Sequence, residues 1–230
     1  MYKNGKYPSV TTVLGVLRKP GLEMWFKQNS AEFCDAESKK GKEVGTIIHS
    51  IIQGSIEKEE VKFETQYDQE VMFCLKGLAK FKKEHPELKF KRAEVEVISE
   101  KHGFMGHLDC LAMEGKELIL GDWKTGKCDV GKIAKSGLSK EKDVPPIYPE
   151  HLYQVAAYVH AYNEQEKANI QQAKVIVFAK DKPVYNYLSI QQSVLDRMFE
   201  EVFLPALSIL KYQQEEENGN SYNSKGSGIG

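Results

Sequence analysis

The spacing of apolar residues along this chain changes period at Pro86, and no other feature constrains the fold as much. Before that point the period is helical. Ser9 is a suitable N-cap for a short first helix carrying Val10, Val13, Leu14 and Leu17, with Lys19-Pro20-Gly21 as its stop signal. A second helix is expected from Leu22 through Trp25 and Phe26 to Phe33, and a third through Val44, Ile47, Ile48, Ile51 and Ile52. A fourth places Tyr67, Val71, Leu75 and Leu78 on one face. After Pro86 the period is two: Ala93, Val95 and Val97 alternate with Glu94, Glu96 and Ile98, which reads as a strand. Two more strands, at 104–113 and 117–125, are joined by the tight turn Glu114-Gly115-Lys116 into an antiparallel hairpin. Residues 126–148, rich in Gly, Lys and Pro, read as a long loop. A helix from about 149 to 163 follows, then strands AKVIVFA and PVYNYLSI, then a helix from about 191 that Pro205 should kink or divide. The chain is therefore α/β, with a helical N-terminal third and a central mixed sheet flanked by helices.

Length and composition narrow the function classes. At 230 residues and 41% hydrophobic content, the chain can bury one sizeable core but cannot also carry a motor domain. One domain is expected over 1–212, with a helical part at 9–85 and a sheet core at 90–212. The polar, glycine-rich stretch 213–230 is expected to be a disordered tail. A net charge of -1 excludes a uniformly basic, nucleic-acid-coating surface, so any such contact must be a local patch. Lys76, Lys80, Lys82, Lys83, Lys89, Lys91 and Arg92 form one basic stretch, readable as a phosphate contact or as a solvated helix end. Cys34, Cys74, Cys110 and Cys128 stand far apart without a C-x-x-C pair, so no zinc or iron–sulfur cluster is expected. The N-terminus resembles neither a signal nor a transit peptide, and no apolar run approaches membrane-spanning length, so the expectation is a cytoplasmic protein without membrane contact.

The chemistry concentrates in the middle of the chain. Residues two apart on a strand share a face, so Leu118, Leu120, Asp122 and Lys124 point the same way from LILGDWKT. An apolar stretch that runs into an acid and a base carries them from core to cleft, where they need a partner or a cation. Asp109 lies on the neighbouring hairpin strand and is placed to meet Asp122 across the ladder. Two carboxylates there repel unless a cation sits between them, and oxygen ligands suit Mg²⁺ or Mn²⁺. A buried Asp–Lys ion pair is the plainer account of D-x-K alone. The surroundings add to it: Glu94 precedes Asp109, a glycine opens GHLD, and Gln154 and Tyr158 stand at i and i+4 on the helix after the loop.

The series Glu94, G-x-x-D at 106–109, D-x-K at 122–124 and Q-x-x-x-Y at 154–158 resembles the PD-(D/E)xK nuclease superfamily in its RecB-like branch. In the N-terminal part, PSVTTVL at 8–14, Trp25 and G-x-x-x-H at 45–49 are similar to mitochondrial genome maintenance exonuclease and its phage and bacterial relatives. The resemblance spans roughly residues 7 to 190, and it is the ordered spacing of individually weak motifs that makes it specific.

What the resemblance implies is a restriction-endonuclease-like core and a Mg²⁺- or Mn²⁺-dependent deoxyribonuclease without an iron–sulfur cluster. The expected activity is exonucleolytic, on single-stranded DNA or DNA ends, by metal-activated water. A structure-specific or double-strand-dependent nuclease of recombination and repair, and a non-catalytic DNA-binding module, are the alternatives. Replication or recombination proteins are the implied partners, in a bacterial or phage-infected cell. By the same resemblance Asp109, Asp122 and the Trp123 carbonyl hold the ion with His49, and Lys124 stands by the water and the scissile phosphate. Glu94 orients water or holds a second ion, Gln154 and Tyr158 position the strand, and Ser9, Thr11, Thr12 and Tyr148 are candidates for substrate contact.

Each position also has a structural reading. His49 beside Ile48 and Ile52 could be a satisfied core histidine, and Glu96 competes with Glu94 because both leave the strand on one side. Ser9 could simply cap a helix, and Trp25 is read more readily as core than as a base-stacking platform. His107 reads as a supporting or surface residue.

Overall fold

The computed structural model describes residues 7–128 and 143–217. Most of the expected long loop, and residues 218–230 of the expected tail, lie outside them. Its elements are α1 (Val10–Leu14), α2 (Pro20–Gln28), α3 (Ala31–Glu57), α4 (Asp68–Glu84), β1 (Leu88–Ser99), β2 (Phe104–Glu114), β3 (Glu117–Gly126), α5 (Pro149–Glu166), β4 (Gln172–Ala179), β5 (Tyr185–Gln191), α6 (Gln192–Met198) and α7 (Leu204–Glu217). The helical third and the later sheet stand as the change of period at Pro86 predicts.

The five strands lie in the order β1-β2-β3-β4-β5. Every neighbouring pair is antiparallel except β3 and β4, which run parallel because α5 carries the chain across between them. The sheet is thus mixed. On one face α3 and α4 bring Val44, Ile48, Ile52, Val71, Cys74 and Phe81 onto Ile119, Trp123, Ile176 and Phe178. On the other, α1, α5, α6 and α7 bring Val10, Val155, Val159, Leu195 and Leu207 onto Val97, Leu108, Leu120, Val175 and Val177. Burying each large side chain contributes about 1.5–3 kcal/mol, so the two faces hold the sheet as the middle of three layers. Covered on both sides, β4 is buried continuously from Ala173 to Ala179, which explains its apolar run from Val175 onward; the buried Lys174 before it is paired with Glu114 (3.1 Å).

Several boundaries differ from expectation. The second helix stops at Gln28 rather than Phe33, because Asn29 donates from Nδ2 to the Trp25 carbonyl (2.8 Å) and Ser30 caps the next helix by accepting from Phe33 N–H (3.3 Å). The third helix starts there, and its 27 residues run through the polar stretch 34–43. Lys40 bridges Glu37 and Glu70, both at 3.2 Å, and holds that stretch against α4. Near Pro205 the helix is divided as expected: a π-turn at Phe199–Phe203 separates α6 from α7, with Leu204 N–H donating to the Phe199 carbonyl. Helix α7 continues to Glu217. The β2–β3 hairpin pairs Glu114 with Glu117, so only Gly115 and Lys116 form its turn, Gly115 at φ 62°.

Trp25 does not join either core. Helix α2 has no buried residue, and Trp25 packs edge-on to Phe26 (ring centroids 5.1 Å apart) and near Phe33 (6.3 Å) in a surface aromatic group. The core reading of Trp25 fails because no layer of the fold covers α2. None of the helices among the described residues is long and apolar enough to cross a membrane.

Candidate active site

The carboxylates emerge where the pleat of β1 and β2 is interrupted. Leu108 and Cys110 are two residues apart on β2, yet they lie in opposite cores, so the alternation of sides breaks at Asp109. Facing it on β1, Glu94 takes a left-handed backbone at φ 48°. The ladder pairs Ala93 with Cys110 and Val95 with Leu108 and skips the two acids between them. A left-handed non-glycine residue costs about 1–2 kcal/mol, a strain the strands to either side hold in place.

The β2–β3 ladder likewise ends at Cys110–Gly121, one step short of Asp109 and Asp122. Asp109 crosses to β3 through its side chain instead, where Oδ2 accepts from Trp123 N–H at 2.6 Å. This corrects the simple cross-ladder picture while keeping the two acids adjacent. Burial, and then repulsion from Asp122, push the Asp109 carboxyl up to about 7, against the pull of Lys124, His49 and the Trp123 N–H.

Helix α3 supplies His49. Its Nε2 lies 3.0 Å from the Trp123 carbonyl, which can only accept, so that nitrogen carries the proton. Nδ1 then offers its lone pair 3.6 Å from both Glu94 Oε1 and Asp109 Oδ1. Burial works against a charged imidazole, but Glu94, Asp109 and Asp122 outweigh it and raise the His49 pKa. His49 is thus not a core histidine: ligand atoms of His49, Glu94 and Asp109 all lie within 4.8 Å of one another. Glu96 leaves this group and pairs across the strands with His107 (3.5 Å) at the surface, which separates the two competing glutamates.

Asp122 and Lys124 share the opposite side of β3, as the period of two requires. Asp122 is fully buried and its Oδ2 lies 2.6 Å from Lys124 Nζ, so the ion-pair reading of D-x-K is realised. Burial opposes the charge on Lys124, but Asp122 and Asp109 hold its pKa above the ordinary lysine value. Asp122 Oδ2 meets only the Lys124 ammonium, and Oδ1 has no partner among the described residues. A buried carboxylate oxygen with nothing to accept from is what a cation site requires, and this donor set of oxygens with one imidazole suits a divalent cation.

Helix α5 closes the site from the Lys124 side. Gln154 donates to Tyr158 Oη at 2.9 Å, and Tyr158 is only 4% exposed. A Cβ added to Gly106 would come within 2.5 Å of Tyr158 Cε1, so the glycine of G-x-x-D is the seat of the tyrosine of Q-x-x-x-Y. Burial raises the Tyr158 pKa, with the charges of Asp122, Asp109 and Glu94 adding to the effect. Ser9 caps α1 by accepting from Thr12 N–H (3.1 Å), and its hydroxyl also meets those of Thr11 (3.0 Å) and Thr12 (2.9 Å). Tyr148 precedes α5, is 38% exposed and donates its N–H to His151 Nδ1 at 3.3 Å.

His151 is the residue that sequence reasoning missed. Burial, and then the charge of Lys124, lower its pKa to about 4. The signal was present, since His151 precedes Gln154 by three residues and Tyr158 by seven and so shares their helix face.

No protein-family model matches this chain, and no curated protein does. Among solved structures it is similar to an alkaline exonuclease from Laribacter hongkongensis, at 13% identity over 94% of this chain and 95% of that one, with a TM-score of 0.42. A structure of the same exonuclease in complex with dAMP matches at 14% identity over 70% of this chain and 77% of that one, with a TM-score of 0.38. A protein of Eubacterium rectale, assigned as a candidate exonuclease, matches at 11% identity over 74% of each chain, with a TM-score of 0.39. Likeness at this level says nothing of the chain's own chemistry, which stands on the side chains it brings together.

Proposed function

We propose that this chain is a divalent-metal-dependent deoxyribonuclease of the PD-(D/E)xK, RecB-like kind, hydrolysing phosphodiester bonds in single-stranded DNA or at DNA ends. The observation that carries the reading is the convergence of His49, Glu94 and Asp109 beside a fully buried Asp122 with an unsatisfied oxygen. A buried acceptor without a donor costs about 1–3 kcal/mol, which a cation bound there would relieve.

Asp109, Asp122, Glu94 and His49 Nδ1 would hold the ion. The Trp123 carbonyl accepts from His49 and keeps a second lone pair. Mg²⁺ or Mn²⁺ bound there supplies Lewis-acid charge and lowers the pKa of a water molecule. The chain's own groups do the rest. Lys124 presents an ammonium to the phosphate as negative charge develops on it, with its proton secured by Asp122. Tyr158 and Gln154 fix the level of β2 on which Asp109 sits. Ser9, Thr11, Thr12 and Tyr148 are the candidate contacts to the strand.

End-labelled single-stranded DNA should be shortened in the presence of Mg²⁺ or Mn²⁺ and left intact in EDTA, and Asp122→Ala or Lys124→Ala should abolish the shortening. Undiminished cleavage by either variant would sink the reading.

A further inference from the structure

Beside the carboxylates, between α3 and β1, lies a cleft of about 440 Å³ lined by Gly45, Thr46, His49, Ser50, Gln53 and Glu94. We propose that it is a nucleoside subsite that takes one unpaired base with its sugar next to the phosphate under attack. The proposal rests on the nuclease reading for what is attacked, and on the cleft's own chemistry for what is bound.

Five of the six lining residues belong to α3, on the stripe opposite Val44, Ile47, Ile48 and Ile52, which pack against the sheet. Apart from His49 they carry no charge. Thr46 and Ser50 bring hydroxyls and Gln53 an amide, groups that both donate and accept, as sugar hydroxyls and base edges do. Glu94 is the acidic member, and no lysine or arginine lines the cleft to hold a phosphate within it. Cations lie on the α5 side instead, where Lys124 and Lys19 both act on His151. The two sides of the site therefore differ in kind: cationic towards α5, neutral and hydrogen-bonding towards α3. A nucleotide chain crossing the carboxylates with a phosphate towards Lys124 would lay its sugar and base towards Ser50 and Gln53.

Size and position add to this. Pockets for small ligands run from roughly 300 to 1,000 Å³, and this cleft, near the lower end, suits one nucleoside better than a base pair. A Cβ on Gly45 would stand 3.7 Å from Thr125 Oγ1, so α3 approaches the strand end immediately after Lys124 and the cleft opens beside the reacting group.

The test uses the full chain, with Ser50→Leu to fill the cleft and Gln53→Ala to remove a half-buried amide whose Nε2 donates to Glu57 (3.2 Å). Linear single-stranded DNA is compared with blunt duplex in Mn²⁺, and fluorescein-labelled oligothymidylate binding is read by anisotropy in Ca²⁺. Expected results are a wild-type KM at least tenfold lower for the single strand, and a rise of tenfold or more in that KM in Ser50→Leu, with kcat within about threefold. Such a split marks binding rather than chemistry. Gln53→Ala should raise KM several-fold with an unchanged melting temperature, so the inference survives a folding defect in Ser50→Leu. Equal KM for the two substrates, or unchanged KM and anisotropy in both variants, would overturn it. Wild-type protein that cleaves nothing would retire the nuclease reading alone. The anisotropy would then decide the subsite, loss in the variants supporting it and equal affinity overturning it.

Discussion

Replacing Lys124 by methionine keeps most of the side chain's volume and removes its charge, which makes Lys124→Met a direct probe of the buried pair. Asp122 is fully buried with Lys124 Nζ at 2.6 Å, and Asp109 beside it is only 8% exposed. Breaking a buried pair by deleting one partner costs about 3–5 kcal/mol, because the remaining charge is left uncompensated. The loss has a ceiling, since the acids left behind can take up a proton: the Asp109 carboxyl already stands at about 7 against the pull of Lys124. Without Lys124 that folded pKa rises further above its unfolded value, so stability is retained at low pH and lost as pH rises. Urea and thermal melts in EDTA should therefore show Lys124→Met about 3–5 kcal/mol less stable at pH 7.5, a drop in Tm of about 6–20 °C for a chain of this size, with the gap shrinking towards pH 5. A cation that binds between the acids opposes the loss, by about 2.7 kcal/mol at a hundredfold excess over its Kd. Mn²⁺ should thus stabilise the variant as well as the wild type wherever it still binds. A gap below 1 kcal/mol in EDTA, or one that does not change with pH, would refute the argument.

Three more outcomes follow from particular residues. Glu94→Gly should be about 1 kcal/mol more stable than Glu94→Ala by urea unfolding, the reverse of the order at an ordinary strand position, because only glycine is at ease at φ 48°. Gly106→Ala forces Tyr158 to move and should cost about 1–3 kcal/mol and lower cleavage; an unchanged melting temperature would show that the tyrosine is not seated there. The His151 pKa, depressed to about 4, contributes stability that is present above pH 6.5 and lost as pH falls towards 4. Relative to His151→Gln, the wild type should lose about 3 kcal/mol across that window, and parallel pH profiles for the two proteins would contradict it.

The two periods were legible in the sequence because each reports one covered face, and they placed every strand and most helices. The polar stretch 34–43 hid the continuity of α3, because its side chains are satisfied by ion pairs formed with other elements: Lys40 with Glu70, and Glu37 with Lys127 at 2.5 Å. Gly41 and Gly45, which look like helix breakers, lie where α3 passes Lys180 and Thr125, and a Cβ there would stand 3.5 Å and 3.7 Å from them. Those are ordinary contacts, so the glycines' cost in helix propensity, about 1 kcal/mol each, is carried by the packing of α3 as a whole.

The site was legible as a set of residue types, while its geometry was not. Alternation predicts that Glu94 and Glu96 point together and that Asp109 meets Asp122 through the ladder. Both inferences assume an unbroken pleat, and β1 and β2 invert sides at Glu94 and Asp109. Nothing in a one-residue pattern announces a paired inversion, since each strand looks regular on either side of it.

The spacing of two motifs does carry the information once they are seen to touch. Gly106 has no side chain because Tyr158 lies against it, and Gln154 holds the Tyr158 hydroxyl at 2.9 Å. Asp109 follows Gly106 by three residues on the same strand, so the tyrosine fixes the level of β2 at which the inversion falls. G-x-x-D and Q-x-x-x-Y are thus two halves of one contact between β2 and α5, and His151, on the face of α5 that Tyr158 and Gln154 define, stands within reach of the charge of Lys124.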